Sequence, residues 1–472
     1  MSKIYVFAIG GTGSRVLRSL TMLLASGVSL GKGVDAVVPI IIDPDVANGD
    51  LTRAAKIMRD YDNIHRELKL THLGSRFFST ELQQVLPGYT LPIDGTANKQ
   101  FRSFIDLSSM SRENQAMMQM LFSQDNLNAD MQVGFKGNPN IGSVVLNQVV
   151  TSREFVEFAN GFKRGDKIFI ISSIFGGTGA SGFPLLVKTL RTNKDLPNFA
   201  AINEAEIGAV TLLPYFQVKQ DEESAIDSST FISKAKSALT YYEKNVAQQG
   251  QVNALYYLGD DDKMASYPNN EGSSKQQNEG HLIELLAATA IIDFCHCQHT
   301  PGVTDNKELG VELGNEAGAL TFRSFGPALT RMLRRPMTQM MLMANYLFYN
   351  MHRLDTLDLS HSFSKGFLSS QDLEMVRVFT DDYRAWLAEL SDNSRSLDLF
   401  DINCTDKPFD VVKGFDERPW RTMQTLSKKG YDLFDDRLNR AAKQVKADND
   451  YSRFMEMFHI ATSELCENKL KL

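Results

Sequence analysis

The sequence predicts an α/β protein, a doubly wound, mostly parallel sheet with a largely helical C-terminal region. Three observations carry this. Apolar runs at 3–9, 36–42, 167–174 and 207–216 lack polar alternation, as strands covered on both faces do. Two of these runs stop at a Gly-Gly-Thr-Gly segment and continue at helical spacing. From about residue 327 onward strand signals vanish and apolar residues recur with a helical period.

The first run, "KIYVFAI", leads through Gly10–Gly13 to a helix expected over Ser14–Ala25, where Val16, Leu17, Leu20, Leu23 and Leu24 share a face. "AVVPIIIDPD" reads as a second buried strand ending in Asp43 and Asp45. Residues 60–165 lose the rhythm and read as an insertion or small subdomain with turn-rich pieces and one helical stretch at 112–122. The strand at 167–174, its glycine segment and a helix from about Gly182 to Thr192 restore it. A strand at 207–216, a helix at 229–245 and a strand at 252–263 follow; alternation of this kind builds a parallel sheet. After the polar loop 266–280, "HLIELLAATAIIDFCH" is apolar on every side and reads as a buried helix. The organisation expected is a nucleotide-binding domain over 1–300, a connecting loop over 301–326 and a helical region over 327–472.

At 472 residues the chain has room for two or three domains, and 43% hydrophobic and 23% charged residues are ordinary globular values. A net charge of −7 argues against a general nucleic-acid binder. The apolar run at the start is too short for a signal segment or a membrane span. Four cysteines in a chain this long suit a reducing compartment, so a cytoplasmic protein is expected.

A buried strand, glycines and a helix start form the geometry that binds phosphate. Helix-start N–H groups are unpaired, the helix dipole adds positive charge, and glycine admits close approach. Thr12 and Ser14, and Thr178 and Ser181, add hydroxyls. One such segment alone is as readily a tight turn; two in one sheet favour a ligand at its carboxyl edge. Neither fits the P-loop, which needs Gly-Lys-Ser/Thr. A dinucleotide fold is the alternative, but Gly11-Thr12-Gly13-Ser14-Arg15-Val16 lacks the third glycine of Gly-x-Gly-x-x-Gly.

The segment Gly176-Gly177-Thr178-Gly179-Ala180-Ser181-Gly182 resembles the tubulin/FtsZ signature, Gly-Gly-Gly-Thr-Gly-Ser/Thr-Gly. Phe175-Gly176-Gly177 stands where three glycines lead, and Ala180-Ser181 is one residue longer than the single hydroxyl residue. The order of the remaining pieces over about 1–297 agrees with that superfamily. The resemblance implies GTP or GDP with Mg²⁺. Gly10, Gly11, Thr12, Gly13 and Ser14 would hold phosphates with Gly176, Gly177, Thr178, Gly179, Ala180 and Ser181. Asp43 or Asp45 would sit by the magnesium ion, Asp221 or Glu222 by the ribose, and Asn278 by the base. It further implies a homo-oligomer or filament, in which acids after the central helix complete a neighbour's site. Here these would be Asp305 and Glu308, with Glu312 and Glu316 beyond them.

The chain departs from that pattern in two places. Residues 300–322 contain no Asn-x-Asp, and 327–472 read helical where the superfamily has a mixed sheet. The function expected is guanine-nucleotide binding, with slow hydrolysis and self-assembly. A non-hydrolysing sensor or scaffold and an NAD(P)-dependent oxidoreductase are the alternatives. Two other clusters carry less. "DFCHCQH" holds soft metal ligands, but neighbours on a helix diverge, and a helix end with incidental thiols is the better reading. The methionine-rich stretch after Arg331, Arg334 and Arg335 reads as a packing helix rather than a membrane-surface one. No nucleophile elbow or HExxH setting is present.

Overall fold

The computed structural model describes residues 2–68, 76–96, 98–131, 135, 138–218, 231–260, 265–268, 273–308, 319–357, 363–364, 366–414 and 429–472. Seven strands lie side by side in the order Asp305–Glu308, Ala254–Leu258, Ile207–Leu212, Lys167–Ser173, Lys3–Ile9, Ala36–Ile42 and Glu81–Leu82, with Thr90–Leu91 also on Ala36–Ile42. Every pairing is parallel. The central strands are buried along nearly their whole length, the reason their sequences show no alternation. This is the α/β, mostly parallel fold that the apolar runs predict.

Both faces are covered. The helix Gly10–Ala25 and the central helix Leu282–His296 lie on one, where Phe169 meets Phe294 edge-on at 5.5 Å. On the other, Arg153–Gly161 stacks Phe155 and Phe158 against Tyr5 and Phe7. The helix Gly177–Thr192 lies on that face too, since a Cβ on Gly182 would come within 3.0 Å of Ile9.

Both helices that follow a glycine segment start earlier than their apolar spacing suggests. The first begins at Gly10, not Ser14, and the second at Gly177, not Gly182. The glycines are the opening helical turns, and the last glycine of each quartet has a packing reason. A Cβ on Gly13 would stand 2.7 Å from the Ala8 carbonyl carbon, and one on Gly179 2.5 Å from the Ser173 carbonyl oxygen. Each helix therefore folds back onto the end of the strand that feeds it, closer than any side chain allows.

Several expected boundaries shift. The helix Gly49–Glu67 takes up residues 60–67, and Glu81–Leu82, Thr90–Leu91 and Arg153–Gly161 join the main layers, so both ends of 60–165 belong to the sheet layers, with the short helices Phe101–Phe104, Arg112–Leu121 and Gln124–Asn128 between them. The expected strand at 207–216 ends at Leu212, and Phe216–Val218 pairs with Ala265–Tyr267 in a separate two-stranded sheet. The connecting loop 301–326 contains the edge strand Asp305–Glu308. Beyond 327 the described residues form the helices Pro327–Asn350, Gln371–Asp392, Gly430–Gln444 and Asp450–Leu465 with no strand. They share one continuous core with the sheet layers; Tyr61 and Phe78, for example, pack on Phe379. Met337, Met340, Met341 and Met343 are buried inside Pro327–Asn350, which makes it a core helix. Among the described residues no helix is long and apolar enough to cross a membrane.

Gly13→Ala and Gly179→Ala should each cost about 1–3 kcal/mol through forced backbone shifts. Gly11→Ala, whose Cβ would meet nothing nearer than 3.5 Å, should leave the urea midpoint within error of the unaltered protein.

Candidate functional site

The order in which successive strands join the sheet reverses between Lys3–Ile9 and its parallel neighbour Lys167–Ser173, where Ala8 pairs with Ile171. At such a switch point the connections leave in opposite directions and open a crevice at the carboxyl ends of the strands. Both glycine turns stand there and touch: a Cβ on Gly10 would lie 3.6 Å from the Thr178 Cβ. Neither helix has a side-chain cap, and neither has an acid in its first turn. Their first N–H groups thus lack the usual internal partner, and two positive helix ends lie side by side.

The acidic loop after Ala36–Ile42 forms one wall. Asp43 is buried and accepts the Asp45 N–H at 3.0 Å. Burial, with Asp45 and Asp50 nearby, pushes its carboxyl up to about 7. Asp45 accepts the Ala47 N–H at 3.2 Å, and Asn48 caps Gly49–Glu67 by accepting from Asp50 N and Leu51 N. A Cβ on Gly11 would lie 3.5 Å from both Asn48 Nδ2 and Gln276 Nε2, so these amides border the first turn. Among the described residues no group of three or more His, Cys, Asp or Glu side chains is arranged to hold a metal ion. Asp43 nonetheless has the chemistry of a cation partner: a buried carboxyl whose charged neighbours are acids.

Beneath this wall lies a buried ionic network that motif reading misses. Arg15 donates from Nη1 to Asp50 at 2.6 Å, from Nε to Glu284 at 2.5 Å, and from Nη2 to Tyr215 at 2.9 Å and Thr12 at 3.3 Å. Tyr215 donates to Glu284 at 2.7 Å. Burial opposes the charge of Arg15, but Glu284, Tyr215 and Asp50 outweigh it and hold its titration well above the ordinary value. One turn on, Arg18 makes two bonds to Glu389 at 2.6 and 2.9 Å. Arg53 donates to Asp50 at 3.3 Å, to Glu389 at 3.2 Å and to the Asn278 carbonyl. Glu389 also accepts the Gly280 N–H at 2.8 Å. The first glycine helix, the helix Gly49–Glu67, the segment 276–281 and the helix Gln371–Asp392 are therefore tied together by three arginines and three carboxylates. The signal in the sequence was Arg15 and Arg18 on an otherwise apolar helix face, and Glu284 alone in an apolar run.

The sequence-predicted residues divide. Gly10, Gly11, Thr12, Gly13, Gly176, Gly177, Thr178 and Gly179 come together at the switch point, with Asp43 and Asp45 on the neighbouring loop. Ser14 and Ser181 do not offer their hydroxyls as expected. Ser14 Oγ turns back to the Gly10 carbonyl at 3.5 Å, and Ser181 Oγ to those of Gly177 and Thr178 at 2.7 and 3.1 Å. Both are buried within their own helices, where such back-bonding is the available partner. The Ala180 carbonyl accepts from Tyr242 at 3.2 Å. Asn278 donates its N–H to Asp50 at 2.9 Å, and its side-chain Nδ2 lies 3.4 Å from the same carboxylate. Asp221 and Glu222, like Glu312 and Glu316, lie outside the described residues. Asp305 and Glu308 are on the edge strand; Asp305 pairs with Ala254 at the start of that strand, at the end of the sheet away from the glycine turns. In the Cys/His stretch, His296 bonds the Ser29 carbonyl and His299 stacks on Phe294, so the side chains diverge as helix geometry requires.

No family model and no curated protein matches the chain. Solved structures do. CetZ2 from Haloferax volcanii, in a GTPγS-bound protofilament, is similar over 54% of this chain and 49% of its own, at 15% identity and a TM-score of 0.27. CetZ from Methanosaeta thermophila is similar over 63% and 51%, at 16% identity and a TM-score of 0.28. The match spans about half the length of either structure. The fold stands on the strand order given above.

Arg15→Met should leave buried Glu284 without its guanidinium and Asp50 with Arg53 alone, and lower stability by about 3–5 kcal/mol in urea unfolding at pH 7. His281 yields a pH test. Its Nδ1 accepts the Ile283 N–H at 3.1 Å as the cap of the central helix, which leaves the proton on Nε2. Burial depresses its titration to about 4, and that of His459 likewise. The unfolded chain takes up these protons first. The stability each histidine contributes is therefore complete above pH 6.5 and is lost as pH falls towards 4, by up to about 3 kcal/mol each. His281→Asn keeps a capping acceptor and should flatten part of that decline in urea midpoints measured between pH 4.5 and 7.

Proposed function

We propose that the chain binds a guanine nucleotide with Mg²⁺ at the switch point and assembles with copies of itself. The observation that carries the binding is the pair of touching helix starts, Gly10 against Thr178, both uncapped and free of first-turn acids. In this reading the N–H groups of Gly10–Gly13 and Gly176–Gly179 surround the phosphates, where a helix dipole favours negative charge. Thr12 and Thr178 border the same space. Guanine rests on the resemblance of Gly176–Gly182 to the tubulin/FtsZ signature. Asp43 and Asp45 would hold the magnesium ion through its waters, and the ion would supply charge neutralisation to the phosphates. Cation binding there would also relieve the buried Asp43 carboxyl of its acidic surroundings.

Hydrolysis asks for a further group. Asp305, at the far end of the sheet, is out of reach of the glycine turns of its own chain, so it could serve only a neighbouring copy stacked head to tail. Its place in an edge strand favours, as the second reading, a protein that binds nucleotide without turning it over.

The purified protein should release GTP or GDP on denaturation, identified by chromatography, and Gly11→Ala should weaken GTP binding by tenfold or more, about 1.4 kcal/mol, with its melting temperature unchanged. An adenine or nicotinamide nucleotide, or none, would overturn the reading. With GTP bound, turnover that climbs faster than protein concentration marks assembly-coupled hydrolysis, and bound GTP that persists intact marks the second reading.

A further inference from the structure

The central helix ends at His296, at the far end from the residues that hold Arg15. Its C-cap, Cys297, belongs to a small polar group of its own. Lys307, on the edge strand, places Nζ 3.2 Å from Cys297 Sγ and 3.3 Å from Asp293 Oδ2. Cys297 Sγ lies 3.8 Å from that same carboxylate oxygen, which also accepts from Tyr256 at 2.6 Å. Lys307 Nζ stands 5.4 Å over the Tyr256 ring, which fixes its stem. The group is open to solvent: Lys307 and Asp293 side chains are 26% and 35% exposed, and the thiol is half-buried.

The other three cysteines differ. Burial pushes Cys295 and Cys466 up to about 12 and raises Cys404, whose Sγ faces the Lys407 carbonyl. Only at Cys297, among the described residues, does a hydrogen bond join an ammonium to the sulfur while a carboxylate stands ready for the thiol proton. That is the arrangement of an activated sulfur nucleophile, with a base and a charge partner both in contact with the sulfur and with each other.

We propose that Cys297 is a modification site, a thiol that hydrogen peroxide oxidises to a sulfenate held by Lys307. Asp293 accepts the thiol proton and passes it to solvent. The thiolate attacks one peroxide oxygen, an S–O bond forms and the O–O bond breaks. Sulfur loses two electrons and the peroxide gains them. The departing hydroxide takes a proton from the Lys307 ammonium and leaves as water. The new sulfenic acid returns its proton to the amine, leaving a sulfenate–ammonium pair. Because Lys307 anchors the edge strand to the central helix, the added oxygen must fit where that strand docks.

The test is dimedone trapping of the whole protein under limiting hydrogen peroxide, read by peptide mass spectrometry. The adduct should appear on Cys297 well before Cys404, and Cys404→Ser should not change its rate. Lys307→Met, which removes the ammonium bonded to the sulfur, should slow trapping at Cys297 by about tenfold. A melting temperature matching the unaltered protein would show that its fold is kept. In urea the preference for Cys297 should vanish. Labelling of Cys404 at an equal rate, or full-rate labelling of Cys297 in Lys307→Met, would overturn the proposal.

Discussion

Arg15 is the interaction on which the arrangement of this molecule depends. It sits one turn into the first glycine helix, almost fully buried, between Asp50 and Glu284. A guanidinium in that position cannot be left without counter-charge, and Glu284 has no other cation bonded to it among the described residues. The relative placement of three helices is therefore fixed by geometry as well as by contact. Well-packed apolar residues would stabilise the same space at least as well, since desolvating charges costs much of what their attraction returns. What the ions add is direction: the bidentate reach of Arg15 and Arg18 admits one register of helix against helix. Glu389 extends that register to the C-terminal helices, which explains why the helical region shares a core with the sheet rather than forming a body apart.

The paired glycine quartets show how one residue type serves two demands. The last glycine of each lets a helix press against its own strand, a packing need that any parallel α/β unit with so tight a junction would share. Gly11 has no such neighbour; its missing Cβ opens space bordered by Asn48, Gln276 and Asp50. A sequence reading sees four glycines and one explanation, whereas the structure separates the glycines that serve the fold from the one that leaves room.

The sheet was legible because buried parallel strands leave an unmistakable apolar run, and the helix faces because their period is strong. Helix starts were misjudged since glycines weigh against a helix in propensity, and tertiary packing overrode that in both junctions. Ser14 and Ser181 looked like ligand donors because a hydroxyl near glycines is one; their burial, which no local pattern reveals, turned them to their own carbonyls. Arg15 and Glu284 lie 269 residues apart in sequence, and Arg18 and Glu389 371, and only the folded chain pairs them. The edge strand Asp305–Glu308 escaped notice for a related reason, as a short acidic stretch carries nothing that marks it as a strand.

The electrostatics of the crevice argue for what kind of ligand completes it. Two positive helix ends face outward on one side, and Asp43, Asp45 and Asp50 stand on the other. Asp50 has Arg15 and Arg53; Asp43 has acids around it and a carboxyl pushed up to about 7 by burial. An anion alone would satisfy the helix ends and repel the acidic wall. A cation alone would do the reverse. A polyphosphate carrying a divalent ion would satisfy both at once, and the cation, by keeping Asp43 ionised, would offset the penalty of its burial. On the reading proposed above, nucleotide and metal affinities should therefore be coupled, each strengthening the other, with proton release from Asp43 accompanying their joint binding near neutral pH.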